Sequence, residues 1–405
     1  MENNNGAITQ SPKIWLYLIS IGIAYMASRY DFQLSTLTLP QYQVSLGLSE
    51  SLAQKITAFV KLGALPAILI VFFADKIGRK PVFIWSFIGF CLSAILVASA
   101  QNALMLLAGL FSTRLFTMVG ELLAVVLLAE AVGADRRGYF LGLLALFGTA
   151  GDALALILYG IFGEEHEVWR SLYFLGASPI FMVIWWHFSL RESQAFIAAK
   201  SNHGAVINPL KEIRPYLKTL GVISIFLFLF WIPVSPALSL LSQYLQTHLG
   251  WKPSQITMLY MIAGLLGMLG NIYGGKLSDI FGRKIIIYIS TIMVGIGLSI
   301  LYLSDNKIII GISYSIGLIG WFGFLTATRT LITESVNTEA RATAISGTDI
   351  FSTLGSFIGN YAVGHMVMMN IKTDTAMIYL MPAMFIGLLL LLKIDETKPK
   401  LNSTK

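Results

Sequence analysis

Two six-residue bursts of charge, Asp75-Lys76-Ile77-Gly78-Arg79-Lys80 and Asp279-Ile280-Phe281-Gly282-Arg283-Lys284, each lie between long apolar runs and stand 204 residues apart. A turn between two hydrophobic spans has to be tight, which calls for Gly, and has to stay out of lipid, which calls for charge. The repeat extends beyond the turns. Glu130 and Arg137 return as Glu334 and Arg341, and Glu192 returns as Glu396, with the same offset. Four separate anchors sharing one offset describe two halves duplicated in the same orientation.

The runs between the anchors fit only a membrane. Of 405 residues, 56% are hydrophobic and 12% charged, and the mean hydropathy is +0.73. A soluble domain is about one-quarter charged. The spacing predicts twelve helices of about 20 residues, the length that crosses a bilayer. They fall at 14–37, 52–74, 81–100, 103–130, 138–162, 169–190, 217–246, 254–277, 285–303, 307–333, 342–369 and 376–393. The expected class is an all-α polytopic membrane protein built from two parallel six-helix bundles, 1–190 and 217–405, joined by a polar linker at 191–216. Parallel six-helix repeats are a transporter architecture, with the solute site near the bilayer midplane between them.

Lys and Arg orient the chain. With both ends inside, nineteen of them fall on inner turns and tails, against Lys55, Arg170, Lys252, Lys307 and Lys372 outside. That bias predicts a multi-pass protein of the cytoplasmic membrane with cytoplasmic termini and charged turns. It also accounts for the net charge of +7 without a nucleic-acid partner. The polar start, Met1 to Gln10, has no basic leader region or cleavage site, so the first span is expected to be retained. Cys91 is alone, and five scattered His residues form no metal motif. No HExxH and no phosphate-cradling loop occurs, so neither an enzyme nor a cofactor is expected.

The D-x-x-G-R-K turns resemble the signature that follows helices 2 and 8 of the major facilitator superfamily. The second copy has Gly275 four residues before Asp279, whereas the first has Val71 where the family usually has Gly. The paired E-x6-R spacings and Asp395-Glu396-Thr397-Lys398 resemble cytoplasmic signatures of its sugar-porter-like branches. Arg114 to Glu121 (RLFTMVGE) and Tyr30-Asp31-Phe32 resemble the helix-4 and helix-1 patterns of the proton symporters for organic acids, metabolites and sugars. The resemblance spans the chain. It implies a monomeric secondary transporter without a cofactor, driven by a proton gradient, with Asp31 as a proton-linked acid.

Charges inside the spans are costly in lipid and are the functional candidates. They are Arg29, Asp31, Lys61, Arg114, Glu121, Asp152, Arg329 and Asp349. At 1.5 Å per residue, five of them (Arg29, Asp31, Lys61, Arg114 and Asp152) lie roughly 21–27 Å from the inner ends of four different helices. The plain alternative is a set of satisfied ion pairs tying helices together. Buried pairs are weak stabilisers, however, and an apolar bundle needs no such cluster. Arg29 and Asp31 lie about 200° apart around one helix and cannot face the same cavity squarely. Asp31 is expected to face the cavity beside Arg114, with Arg29 a structural partner of Asp152 or a headgroup contact. Asp31, Arg114, Glu121 and Asp152 form the expected proton-coupling group.

Lys61, Arg114, Trp231, Asn271, Asn360 and Tyr361 are the expected substrate contacts, while Arg329 and Asp349 either pair with each other or line the inner vestibule. Pro233 and Pro236 are expected to loosen helix 7. The inner gate comprises Asp75, Gly78, Arg79, Glu130 and Arg137 in one half, and Asp279, Gly282, Arg283, Glu334 and Arg341 in the other, linked by salt bridges that break on opening. Two cations at substrate depth favour a small organic anion as cargo, most simply a carboxylate taken up with protons. The alternatives are a sugar, a cation or a zwitterion, or a proton antiporter exporting a small molecule. A nutrient sensor on a transporter fold is a reading of another class.

Overall fold

The computed structural model describes residues 12–132, 136–190, 192, 212–337 and 340–397. The expected linker 191–216 lies outside the described residues except for 192 and 212–216. Among the described residues the chain is helical and without strands. The first half contains α1 (Pro12–Leu37), α2 (Leu39–Ser45), α3 (Glu50–Lys61), α4 (Ala64–Ile77), α5 (Arg79–Ala98), α6 (Ala103–Ala131), α7 (Arg137–Phe162), α8 (Val168–Ala177) and α9 (Met182–Ser189). The second contains α10 (Leu217–Ser239), α11 (Leu241–Thr247), α12 (Pro253–Phe281), α13 (Arg283–Leu303), α14 (Lys307–Glu334), α15 (Arg341–Met368), α16 (Thr373–Leu380) and α17 (Pro382–Leu390). With α3–α4, α8–α9 and α16–α17 each taken as one broken span, and α2 and α11 as extensions of α1 and α10, these elements make the twelve expected spans. Among the described residues ten segments are long and apolar enough to cross a membrane. The remaining two, α1 and α15, are as long, at 26 and 28 residues, but carry Arg29, Asp31 and Asp349.

The breaks follow from backbone chemistry. Pro40, Pro179 and Pro382 each sit at the start of a new helical segment, where a missing N–H costs nothing. Gly63 separates α3 from α4. Pro233 and Pro236, in contrast, lie inside α10, which stays helical to Ser239.

The described residues form two compact units, those of 12–48 with 60–192, and those of 49–59 with 212–397. Each unit repeats the same pairings. In the first, α1 packs on α7, α5 on α6, and α4 on α6; in the second, α10 packs on α15, α13 on α14, and α12 on α14. The closest seams use glycine. A Cβ at Gly151 of α7 would collide with the Met26 carbonyl oxygen of α1, and one at Gly355 of α15 with the Phe228 carbonyl of α10. Gly151 and Gly355 share the 204-residue offset. On the same seam a Cβ at Gly359 would strike the carbonyl oxygen of Ile232. That carbonyl has lost its usual donor to Pro236, four residues on. Small residues let it receive a close helix neighbour instead of being stranded in hydrocarbon.

The second unit also claims Ser49–Phe59, which the expected boundary places with the first bundle. The cause is polar. Glu50 Oε1 accepts from Thr373 Oγ1 at 2.6 Å and from Gln54 Nε2 at 3.1 Å, and lies 2.9 Å from His248 Nε2. Gln54, fully buried, also donates to Gln243 at 3.3 Å, and Ser51 donates to the Gly364 carbonyl at 2.7 Å. The hydrogen bond to Glu50 pushes the His248 pKa above its ordinary value; partial burial opposes this, Asp374 adds to it and Lys372 counters it.

Two outcomes are expected. Gly359→Ala lowers the unfolding temperature of the purified protein by several degrees, an overpacking cost of about 1–3 kcal/mol. Gly347→Ala, with nothing within 4 Å of its Cβ, leaves it unchanged or slightly raised. A histidine whose pKa is raised by folding contributes stability below its ordinary value of about 6.5, and loses it as pH rises through the folded value. Between pH 6 and 8 the wild-type unfolding temperature therefore falls more than that of His248→Gln. Parallel pH profiles for the two proteins would contradict this.

Candidate functional site

The two charged turns have the same construction. Gly78 and Gly282 adopt φ of 120° and 114°, values that exclude other side chains without strain. Each is followed at once by a helix, α5 or α13, whose first backbone N–H groups face a carboxylate. Glu192 accepts from the N–H of Arg79 at 3.1 Å and of Lys80 at 3.2 Å. Glu396 accepts from those of Arg283 at 2.8 Å and Lys284 at 3.1 Å. An anion there satisfies orphan donors and the positive end of the helix dipole. A Cβ at either glycine would come within 2.7 Å of that carboxylate.

The arginine side chains then reach the next helix. Arg79 pairs with Glu130. Arg283 holds Glu334 with two bonds, at 2.9 and 3.1 Å, and also pairs with Asp279. The Asp75 side chain lies outside the described ones. Arg137 and Arg341 depart from the expected salt-bridge set. Their side chains donate to the carbonyls of Ala129 at 2.9 Å and Thr333 at 3.1 Å, tying off the ends of α6 and α14. Both lie eight residues beyond their acceptors, so each closes the loop back onto the helix it has just left. Glu192 and Glu396, read from the sequence as repeat markers and, for Glu396, as part of a resembling signature, are the helix caps.

In the first unit a group of half-buried charges forms where α1, α6, α7 and the last residue of α3 meet. Arg29 Nη2 donates to Asp152 Oδ2 at 2.8 Å, with side chains 29% and 27% exposed. Gly151 permits this pair, since a Cβ there would also crowd Arg29 Cβ, at 3.1 Å. Gly63 does the same for α6, because its Cβ would lie 2.7 Å from the Phe111 carbonyl and 3.2 Å from Arg114 Cβ. Lys61 is thereby brought near Arg114, and the two cations repel each other. Both are half-buried. Arg114 Nε has no hydrogen-bond partner among the described residues, and its guanidinium lies 4.9 Å from the centre of the Phe32 ring. Glu121, seven residues after Arg114 on the same face, has one oxygen unpartnered and feels the charges of Arg29, Arg114 and Asp152.

Asp31 is not part of this group. It is 3% exposed and looks the other way, toward the Thr113 hydroxyl of α6, Cys91 of α5 and Tyr173 of α8. In place of the expected Asp31–Arg114 pair, Arg29 and Glu121 lie near Arg114, and Asp152 pairs with Arg29. The two-residue spacing allowed one of Arg29 and Asp31 to face the polar group, and packing selected Arg29. Removing Asp31 leaves three cations, Arg29, Lys61 and Arg114, facing two carboxylates, Glu121 and Asp152.

In the second unit Asn360 is fully buried and committed. Its amide donates to Ser235 Oγ at 2.9 Å and the Ser356 carbonyl at 2.8 Å, and its oxygen accepts from Ser239 at 2.8 Å. It is a strut of the α10–α15 seam rather than a solute contact. Asn271 is exposed and accepts from Thr326 Oγ1 at 2.7 Å. Tyr361 is 39% exposed, between Phe59, Phe357 and His365. Trp231 is half-buried against Phe230. Arg329 and Asp349 pair at 3.0 Å, as one of the two sequence readings has it. Among the described residues no cluster of three or more His, Cys, Asp or Glu can hold a metal ion.

A sequence profile described as the Major Facilitator Superfamily matches residues 21–359 and 220–405. The chain is 25% identical over 370 residues to the cis,cis-muconate transport protein of Acinetobacter baylyi, covering 84% of this chain and 85% of that one. It is 25% identical over 222 residues to myo-inositol transporter 2 of Schizosaccharomyces pombe, covering 54% of this chain. It spans only 40% of the length of that yeast relative. The inward-open xylose transporter XylE of E. coli shares the fold, with a TM-score of 0.74 at 15% identity over 96% of this chain and 98% of that one.

The turn geometry sets an expected contrast. Gly282→Ala forces a positive φ on alanine and crowds Glu396, so thermal unfolding shows a loss of about 1–3 kcal/mol. Gly275→Ala, whose Cβ meets Thr326 Cγ2 at an ordinary 3.5 Å, is close to neutral. Equal losses at the two positions would refute the account.

Proposed function

The chain belongs to the Major Facilitator Superfamily, and from that premise we propose that it is a secondary transporter of a small organic anion, most simply a carboxylate, taken up with protons by alternating access. The observation that carries this reading is the cation excess at the buried group of the first unit. Lys61 lies near Arg114, and among the described residues neither has a carboxylate hydrogen-bonded to it. Holding two like charges together away from bulk water is unfavourable unless an anion joins them. A solute carboxylate meets that need, and the planar guanidinium suits it through paired N–H donors. The similarity to a muconate transport protein agrees with an acidic solute, since muconate is a dicarboxylate.

Proton coupling follows from Glu121. In the empty site Glu121 lies in the positive field of Arg29 and Arg114. An anion arriving on Arg114 competes for that field, so the carboxylate takes up a proton as the solute binds. Asp152 pairs with Arg29 and fixes that guanidinium. The charged turns belong to the inner side, as the Lys and Arg distribution requires, and the protein works as a monomer in the cytoplasmic membrane with both termini inside.

The test is flux into proteoliposomes under an inward proton gradient, with cis,cis-muconate as the anionic probe and myo-inositol as the uncharged one. Wild type accumulates the anion. Arg114→Gln lowers kcat/KM by about 30- to 1,000-fold, corresponding to about 2–4 kcal/mol for losing one partner of a buried charged contact. Glu121→Gln loses gradient-driven accumulation but keeps counterflow exchange, whereas Asp31→Asn keeps both. Accumulation of myo-inositol that is indifferent to Arg114→Gln would overturn the anion reading.

A further inference from the structure

Among the described residues Phe32, three residues after Arg29 on α1, is the one aromatic ring that meets two half-buried guanidiniums. Arg29 Cζ lies 5.1 Å from its centre and Arg114 Cζ 4.9 Å. The two arginines differ in every other respect. Arg29 spends its charge on Asp152, at 2.8 Å. Arg114 comes from a different helix, α6, and leaves Nε without an acceptor. A half-buried guanidinium with five donors normally settles on a carboxylate. Here the negative face of a ring stands in for one. A ring face attracts the cation without taking up the in-plane N–H donors of the guanidinium.

That difference has a functional meaning. A permanent carboxylate at the same place would neutralise Arg114 and compete with an incoming anion. The ring does neither. We propose that Phe32 is a positioning residue that holds Arg114 in reserve for an anionic solute, and so sets the preference for carboxylated over uncharged cargo. This inference rests on the anion reading given above. It assigns to Phe32 the orientation of Arg114, and to Asp152 the removal of Arg29 from competition for the same solute.

A cation–π contact is worth about 0.5–2 kcal/mol, which is roughly 2- to 30-fold in affinity. In proteoliposomes Phe32→Leu is expected to raise the KM for cis,cis-muconate by that factor while kcat stays within about twofold. Phe32→Tyr, which keeps the ring face, restores the wild-type KM. In an Arg114→Gln background Phe32→Leu has no further effect on KM. A fall in kcat with KM intact, or a tyrosine variant as poor as leucine, overturns the proposal.

A second measurement separates this from the reading beneath it. The unfolding temperatures of wild type, Phe32→Leu, Arg114→Gln and the double variant form a cycle that needs no solute. Coupling between the two substitutions shows that the ring holds the guanidinium, and strict additivity overturns it. If wild type takes up none of a panel of mono- and dicarboxylates, the anion reading fails and the assignment of Phe32 to solute preference fails with it. The cycle alone then reports whether the ring–guanidinium contact exists.

Discussion

In lipid the hydrophobic effect does not press one helix against another, so helices must be held by close backbone approach and by polar contacts between them. The interior of this protein depends on that constraint. Gly151, Gly355 and Gly359 let neighbouring helices come to carbonyl distance. The polar pairs form where the backbones are closest: Arg29 with Asp152 beside Gly151, and Asn360 with Ser235 and Ser239 beside Gly359. Gly63 does similar work at the end of α3, where it brings Lys61 next to Arg114. The buried charges are thus placed by the same small residues that pack the bundle.

The charged turns obey a different rule, that of the helix N-terminus. Each half starts a helix directly after a left-handed glycine and satisfies its first N–H groups with a glutamate more than one hundred residues away in sequence. The arginine at that first position then reaches a second glutamate on the next helix. Two carboxylates and one guanidinium therefore tie together three parts of each unit. Since the contacts close within a unit, each turn is first a brace for its own six helices.

Much of this was legible along the chain. The single 204-residue offset disclosed the duplication. The pairings of Arg29 with Asp152 and of Arg329 with Asp349 were each one of two readings that the sequence left open. The roles of Asp31 and Asn360 were not legible. Asp31 was placed toward the solute because a resembling motif puts an acid there, yet it faces Thr113 and Tyr173. Asn360 carried a polar group at a suitable depth, but two serines on α10 consume it. Neither outcome has a local signature, because each depends on which side of a helix meets its neighbours. The role of Phe32 was equally hidden, since the guanidinium that makes it notable arrives from α6, some eighty residues later.

By itself the sequence determined the membrane-spanning class, the twelve helices, the duplicated plan and the sites of its turns. These rest on hydropathy, charge and backbone chemistry that act over a few residues. Only the tertiary structure decided which charges share a site, because two residues on one helix turn point in opposite directions and only packing selects between them. That selection turned a balanced set of charges into a group with three cations and two carboxylates. It also left Arg114 against a ring instead of an acid.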